Sequence, residues 1–342
     1  MSHGRIMGVA AGVAVAAACL FASPASQAQD YPSRPVKIVV PFGAGGPADV
    51  YARVLAPHFS RHLPGKPQVI VKNLPGAGSL KLVSYMQSVA ARNGTEMATV
   101  TRGAPVEELL TNSKTGMDPV GSQWIGSMNN EASVCAVNAT TGVKDIAGMR
   151  TTELSFGTQG KGSDSELFAV FIKNLLGVKL KVVTGYPGTN ESILAMERKE
   201  VDGNCGWSWS SAKQSRPAWF KDGTVNIIMQ MSLTKHPELG HVPLIGEFAK
   251  TPAEQAQVEL VMSRQVMGRP YYFPPGVPAD RVAAARKAFM DAIADPEFKA
   301  AAEKAQLEIN PVSGEDLQAL VAKLLKTPPE IVAATRRNIE SN

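Results

Sequence analysis

Apolar positions along the chain follow two alternating patterns. Short β-branched runs, of which Val36–Val40 is the first, are each followed by a longer segment with a helical stripe of apolar residues. A continuous apolar run bounded by glycine predicts a buried strand, and apolar residues spaced three and four apart predict an amphipathic helix. The repeated order of strand and helix predicts an α/β fold with mostly parallel sheets and helices on both faces.

The same patterns predict the remaining elements and two lobes. Further strands are predicted at residues 68–72, 97–100, 133–137, 152–157, 179–184, 201–205, 224–229 and 271–273. Helices are predicted at residues 48–62, 79–91, 163–176 and 190–198, after Pro278, and from Pro296. We expect the chain to leave the first lobe near residues 129–135 and to return near residues 264–273. Lobe 1 then comprises residues 29–132 and 266–342, and lobe 2 comprises residues 133–265.

The N-terminus predicts export from the cytoplasm. Arg5 is followed by an apolar run over residues 7–22, and Ser26-Gln27-Ala28 provides a small-x-small cleavage site. The run is too short for a membrane span, and no later apolar segment reaches the ~18 residues that a span needs. We therefore interpret residues 1–28 as a cleavable signal peptide. As an alternative, the segment that ends at Cys19 weakly resembles a lipoprotein box.

The amino-acid composition is typical of a globular protein and argues against a nucleic-acid-binding protein. The 342 residues are 44% hydrophobic and 19% charged, which is typical of a globular protein with two domains of ordinary size. The formal net charge of +5 is spread without a basic run, which argues against nucleic-acid binding. Cys135 and Cys205 remain after the signal peptide, and they form either a disulfide or two buried thiols, since spacing alone does not decide.

Three glycine-rich loops each connect a predicted strand to a predicted helix. Backbone N–H groups in such a loop, close to the positive end of a helix, form a site for an anion. The candidate ligand-binding residues in these loops are Phe42, Gly43, Ala44, Gly45 and Gly46; Gly76, Ala77, Gly78 and Ser79; and Thr158, Gly160, Gly162 and Ser163. The first loop lacks the G-x-G-x-x-G spacing of a dinucleotide site, and no cofactor is expected.

The chain shows no constellation typical of an enzyme. Its five histidines lack metal-ligand spacing, and His58 and His62, although four residues apart, lack the glutamate of an H-E-x-x-H motif. Neither a G-x-S-x-G elbow nor a P-loop is found in the sequence. The pattern therefore favours a binding protein without a metal, and a secreted hydrolase is the distant alternative.

The order and spacing of several motifs resemble one family. "YPSRPVKIVVPFGAGGPADVYARVLAP" and "VIVKNLPGAGSLKLVSYM" resemble the N-terminal part of the Bug-type periplasmic receptors of tripartite tricarboxylate transporters. The "YPGT" that begins at Tyr186, the Glu200-Val201-Asp202 motif and "YYFPPGVPADRV" match later motifs of that family, in the same order. The match covers nearly the whole mature chain.

The resemblance implies a fold, a ligand class and a partner. It implies a type II periplasmic-binding fold whose two α/β lobes close around a small organic carboxylate, held chiefly by backbone amides, hydroxyls and waters. It implies a periplasmic monomer that delivers the carboxylate to the membrane subunits of a secondary transporter. A receptor for a signalling partner is the alternative. The identity of the carboxylate is left open.

Two residues in the matched motifs have a structural and a ligand-binding interpretation. The family's acidic residue on the first helix is Asp49, which either orders its loop as a first-turn charge or contacts the ligand. Ser163 is either the N-cap of a capping box with Glu166 or a ligand contact, which we favour because its loop should face the cleft.

The chain also departs from the family at the cleft. An acid usually stands four residues after the aspartate of the E-V-D motif, and this position is Gly206 here. Trp207 follows it, and both Gly206 and Trp207 are candidate ligand-binding residues; Trp209 lies two residues further on. An indole in the cleft would favour an aromatic or branched carboxylate, whereas the alternative is that one or both indoles pack in the core.

Overall fold

A computed structural model describes residues 1, 31–32, 34–76, 79–111, 113–160 and 163–340 of the chain. Residues 2–28 of the predicted signal peptide lie outside the described residues, as do the predicted site residues Ala77, Gly78 and Gly162. No helix among the described residues is both long enough and apolar enough to cross a membrane.

Strands and helices alternate through the described chain. The strands are β1 (Val36–Val40), β2 (Val69–Asn73), β3 (Glu96–Thr99), β4 (Gln123–Ser127), β5 (Ser133–Asn138), β6 (Leu154–Gly157), β7 (Leu180–Val183), β8 (Gly203–Ser208), β9 (Val225–Met231), β10 (Pro270–Phe273) and β11 (Val312–Ser313). The α-helices are α1 (Pro47–His62), α2 (Leu80–Ser88), α3 (Glu107–Leu110), α4 (Ile146–Thr151), α5 (Asp164–Leu176), α6 (Thr189–Glu197), α7 (Trp209–Ser215), α8 (Pro252–Met267), α9 (Ala279–Ala294), α10 (Pro296–Lys304), α11 (Gly314–Leu324) and α12 (Pro329–Ile339).

The first sheet has the strand order β11-β4-β10-β3-β1-β2. Strand β1 is nearly all buried because α1, α9 and α10 cover one face of the sheet and α2 and α11 cover the other. It pairs in parallel with both β2 and β3. The loops that follow these three strands therefore lie at one edge of the sheet.

The second sheet has the strand order β7-β6-β8-β5-β9. Helices α5 and α8 pack on one face, and α6 and α7 pack on the other. Cys135 on β5 lies opposite Cys205 on β8, and the two residues form a disulfide. The pairing that the sequence left open is thus present in the structure.

The predicted α/β fold is confirmed, because the chain is a mixed α/β protein with two separate sheets. The expectation of mostly parallel sheets is wrong. Strand β10 runs antiparallel to β3 and β4, and β5 runs antiparallel to β8 and β9. These strands directly precede or follow the segments that cross between the two sheets, so they enter their sheets in the opposite direction.

The lobe boundaries stay a prediction, although each sheet takes its strands from the expected parts of the chain. The C-terminal helix α12 differs from the expectation that residues 266–342 stay together. It packs against α5 beside the second sheet, where the Nδ2 of Asn174 donates a hydrogen bond to the carbonyl of Asn338 (3.1 Å).

The aspartate of the E-V-D motif joins β6 to the start of β8. Oδ2 of Asp202 accepts hydrogen bonds from the backbone N–H and the hydroxyl of Ser155, both at 2.7 Å. The backbone N–H of Asp202 in turn donates to the Ser155 carbonyl (2.7 Å). The geometry gives this aspartate a structural role.

We expect Asp202→Ala to lower the free energy of unfolding by about 1–3 kcal/mol, because two donors on Ser155 lose their acceptor. Urea unfolding measures the change. The matched control is Glu200→Ala in the same motif, where the exposed side chain should contribute less than about 0.5 kcal/mol. Equal effects of the two substitutions would contradict the role of Asp202.

Candidate functional site

A cavity of about 480 Å³ lies where the loops after β1, β2 and β3 meet the start of α5 and the end of α8. Loops of the first sheet and helices that pack on the second sheet therefore both contribute to it. The lining residues are Phe42, Ala48, Ser79, Leu80, Val83, Thr99, Val100, Thr101, Arg102, Gly103, Ala104, Glu107, Ser113, Thr115, Asp164, Arg264, Gly268 and Arg269.

The first glycine loop borders the cavity through Phe42 and through Ala48 in the first turn of α1. Gly46 is the N-cap and Pro47 begins the helix, which leaves first-turn N–H groups without intrahelical partners. A Cβ atom on Gly43 would meet no heavy atom within 4 Å, so open space surrounds this residue. The arrangement is that of a helix N-terminus able to receive an anion.

Asp49 orders the first loop from within. One carboxylate oxygen accepts from the backbone N–H of Gly45 (2.8 Å) and from Nε of Arg53 (2.7 Å), and the other accepts from Nδ2 of Asn73 (2.8 Å). The same Asn73 amide donates to the Phe42 carbonyl (2.9 Å). Asp49 is buried and does not line the cavity, which favours the structural interpretation of this residue.

The protonation of Asp49 follows from these contacts. The hydrogen bond from Arg53 is the main cause that lowers its pKa from 3.8 to about 2, assisted by Gly45 and Asn73 and opposed by burial. Asp49 is therefore ionised near neutral pH, and its charge is matched by the guanidinium of Arg53.

The second glycine loop reaches the same cavity through Ser79 and Leu80. The Ser79 hydroxyl lies 3.0 Å from that of Thr101, which follows β3. Gly76, at φ +151°, does not line the cavity. Residues at the ends of the first two loops thus share one cavity, although most of their glycines stand back from it.

The described residues of the third glycine loop form hydrogen bonds mainly within the loop, to the adjacent strand and to the start of α5. Thr158 is fully buried, and its N–H donates to the Val183 carbonyl (2.8 Å). The Ser163 hydroxyl accepts from the N–H of Glu166 (3.2 Å) and donates to the carbonyl of Gly160 (2.7 Å), which makes it the N-cap of α5. None of these three predicted site residues lines the cavity, so their ligand contact remains a prediction.

Asp164, the first residue of α5, forms ion pairs with arginines from two distant segments of the chain. Its Oδ2 forms an ion pair with Nη2 of Arg102 after β3, and its Oδ1 lies 2.9 Å from Nε of Arg264 on α8. Arg102 also lies 3.7 Å from Glu131 on the segment between β4 and β5. One carboxylate thus neutralises part of the charge of two arginines inside the cavity.

The two arginines decide the charge of Asp164. Burial alone would raise its pKa, but the positive charges of Arg102 and Arg264 outweigh burial and hold the pKa below its usual value. In a cavity withdrawn from water such charge pairs interact more strongly than they do at the surface. The cleft therefore contains ionised side chains as well as backbone amides.

Gly206 lies in β8 directly against the first turn of α5. A Cβ atom on it would be 3.1 Å from Cα of Ser165 and 3.2 Å from the carbonyl group of Asp164. Its φ of +94° also disfavours any residue with a side chain. Gly206 therefore acts through this close approach, and it does not line the cavity.

The expectation that Trp207 lines the cleft is not met. Its indole is 1% exposed and packs against Trp219 and Phe220, with ring centroids 6.0 and 5.7 Å away. Trp209 belongs to the same apolar cluster, and its Nε1 donates to Glu238 (3.0 Å). Both indoles lie on the α6 and α7 side of the second sheet, which is the core-packing alternative.

The sequence interpretation missed the three arginines of the cavity, Arg102, Arg264 and Arg269. A signal was present for Arg102, because it closely follows β3, a parallel neighbour of β1. A residue after that strand lies at the same edge as the glycine loops. Arg264 and Arg269 approach through the return of the chain from the second lobe, and no local pattern indicates this.

The described residues contain no cluster of three histidine, cysteine or acidic side chains that could hold a metal ion. The cavity itself presents arginine, hydroxyl and backbone N–H groups, which recognise charged and hydrogen-bonding groups.

Comparison with curated proteins gives relatives of one kind, and no family model matches the chain. A UPF0065 protein from the gbd 5′ region of Cupriavidus necator is 33% identical over 196 residues, which covers 54% of this chain and 58% of the relative. The BugT protein of Bordetella pertussis is 44% identical over 80 residues, 23% of each chain. The chain spans 58% and 56% of the lengths of the first curated relatives it matches.

Comparison with solved structures gives the same picture for the fold. A TctC solute-binding protein from Polaromonas has a TM-score of 0.68 at 20% identity and covers 90% of this chain and 99% of its own. The binding protein BugD has a TM-score of 0.60 at 24% identity, with coverages of 90% and 98%. MatC from Rhodopseudomonas palustris, solved with malate, has a TM-score of 0.59 at 18% identity, with coverages of 91% and 100%. These findings confirm the resemblance to the Bug-type receptors.

We expect the stability that Asp49 contributes to be lost in acid. Its pKa in the folded protein, about 2, lies below the ordinary 3.8, so the contribution is complete above about pH 4 and disappears as the pH falls toward 2. Urea unfolding across this pH range should show that the free energy of unfolding falls less for Asp49→Asn than for the native chain. In Arg53→Gln this decrease in the free energy of unfolding should occur at higher pH. Parallel pH curves for all three proteins would contradict this assignment.

Asp164→Asn should lower the free energy of unfolding by about 3 kcal/mol or more, because Arg102 and Arg264 remain buried without their anion. Chemical denaturation tests this. Asp316→Asn is the control, since Asp316 also lies in the first turn of a helix but is exposed beside Ser313. Adding Arg102→Gln to Asp164→Asn should cost less than the sum of the two single changes. Strict additivity would mean that the pair is not coupled.

Proposed function

We propose that this chain is an exported solute receptor that captures a small organic carboxylate in the cavity between its two lobes. We further propose that it delivers the ligand to the membrane subunits of a tripartite tricarboxylate-type transporter. In this proposal the lobes are residues 29–132 with 266–342, and residues 133–265, and the protein acts in the periplasm.

One observation carries the proposal: the loops after strands of the first sheet and the helices α5 and α8, which pack on the second sheet, line the same 480 Å³ cavity. Three arginines and the first turn of α1 also border it. The volume lies in the range of small-molecule sites. Arginine and helix N-termini both favour an anion. The malate bound to MatC is consistent with this ligand class.

Lobe closure is the natural way for such a site to act. With the proposed boundaries, Arg102 and Asp164 belong to different lobes, and their ion pair would hold the lobes together at this point. A ligand that binds between the lobes can shift the population toward the closed form only by binding it more tightly than the open form. Recognition of that closed form by membrane subunits would couple capture to delivery.

The direct experiment is native mass spectrometry of the purified protein, followed by a thermal-shift screen of carboxylic acids. A binder raises the unfolding temperature as RT ln(1 + [L]/Kd), and we expect the acid to be recovered unchanged. Conversion of the added acid would favour the hydrolase alternative. A screen without any shift, for a protein that is folded and free of bound acid, would contradict the proposal.

Gly43→Asp should fold normally but bind the acid at least ~10-fold more weakly, because a carboxylate beside the first turn of α1 repels a second anion. Open space around Gly43 accommodates the new side chain. Isothermal titration calorimetry with the best acid of the screen measures the affinity. Gly43→Asn has the same shape without the charge and should retain most of the binding. Equal affinities for both variants would rule out an anion at this loop.

A further inference from the structure

Arg269 lies on the segment that returns from α8 to β10, and its backbone is held firmly. Its N–H donates to the Ser127 hydroxyl (2.9 Å), and its carbonyl accepts from the N–H of Met128 (3.2 Å). Its guanidinium lies 5.3 Å from the ring centroid of the buried Tyr51. The Tyr51 hydroxyl donates to the Glu308 carbonyl (3.1 Å), so the ring beneath Arg269 is fixed as well.

The three arginines of the cavity differ in their partners. Arg102 and Arg264 each form an ion pair with Asp164. Arg269 forms no ion pair with any carboxylate among the described residues, and its buried Nε has no hydrogen-bond acceptor there. Asp164 is near enough for the charge of Arg269 to contribute to its lowered pKa, but the two do not form an ion pair.

An unpaired guanidinium in a half-buried position is unfavourable for the protein alone. A charged group that is partly withdrawn from water loses hydration, and a buried donor without an acceptor costs free energy. The Tyr51 face compensates only part of this, since a cation–π contact contributes less than a charge-paired hydrogen bond. A bound oxyanion would supply both the missing charge and the missing acceptor.

We propose that Arg269 is the side-chain anchor for a carboxylate group of the ligand and sets the preference of the site for an acid over its neutral amide. This inference rests on the proposed function and goes beyond recognition by loop amides. The ring of Tyr51 restricts the guanidinium, so little conformational freedom is lost when the carboxylate binds. Asp164 is shared by Arg102 and Arg264, and Glu131 also lies 3.7 Å from Arg102. Among the described residues Arg269 is thus the cavity arginine without an ion-pair partner, and it is available for the ligand.

The test compares Arg269→Gln with Arg281→Gln in binding to acids and to their amides. The probes are succinate, glutarate, adipate and benzoate, each beside its amide, with a monoamide for the dicarboxylates. Arg281 is the matched control, because its guanidinium also lies over a tyrosine ring, 5.5 Å from Tyr31, but it does not line the cavity. Calorimetry gives the affinity of each protein for the acid that binds the native chain best and for its amide.

We expect Arg269→Gln to bind that acid ~10- to 100-fold more weakly, as for the loss of a charge-assisted pair, while its amide affinity changes less than about 3-fold. The Arg281→Gln control should match the native chain. Arg269→Lys keeps a point charge without the planar fork and should recover part of the preference for the acid. Without ligand, Arg269→Gln should unfold within about 3 °C of the native protein, because no internal ion pair is lost.

The outcomes separate the two proposals. If the native chain binds an acid and Arg269→Gln binds acid and amide with native affinities, Arg269 is not the anchor, although the proposed function stands. Equal binding by Arg269→Lys and Arg269→Gln also overturns the inference, because charge would then not matter. If no probe binds the native chain, and the wider acid screen gives no shift either, the proposed function fails and the inference falls with it.

Discussion

The parallel pairing of β1 with both β2 and β3 is the constraint on which the cleft depends. It brings the ends of three strands to one edge, so that Phe42, Ser79 and Arg102 border one cavity although they are far apart in sequence. The glycine loop after β1 would have little regular structure without contacts from other residues. Asp49 and Asn73 provide these contacts, because they satisfy its backbone groups and leave the first turn of α1 open toward the cavity.

Two of the arginines in the cleft share a single carboxylate. A single carboxylate, Asp164, interacts with arginines from two different segments, and a third arginine is left with an aromatic ring as its neighbour. Buried ion pairs stabilise little when their desolvation is counted, but they fix which groups can meet. In this chain the fixed groups lie on the loop after β3 and on helices that pack against the second sheet, so the electrostatics of the site depend on how the two sheets are placed relative to each other.

The sequence predicted what is encoded locally. The buried run of β1, the glycine loop after it and the stripe of α1 lie where the pattern indicated, and the fold class follows from them. The predictions that failed concern features that depend on segments far apart in the sequence. The direction of β10, the packing of Trp207 and the approach of Arg264 all depend on how distant segments cross between lobes, and no periodicity reports this. Asp49 was open to two interpretations because a helix-start acid looks the same in sequence whether its carboxylate faces the loop or a ligand.

The close approach at Gly206 has a consequence for substitutions at this position. The resemblance implies that related chains have an acid at this position, but here any side chain would displace the first turn of α5. That turn supplies the carboxylate shared by Arg102 and Arg264. An acid at position 206 would therefore require this turn, and the ion pairs of Asp164 with it, to shift by a few tenths of an ångström, besides a backbone conformation that side chains disfavour.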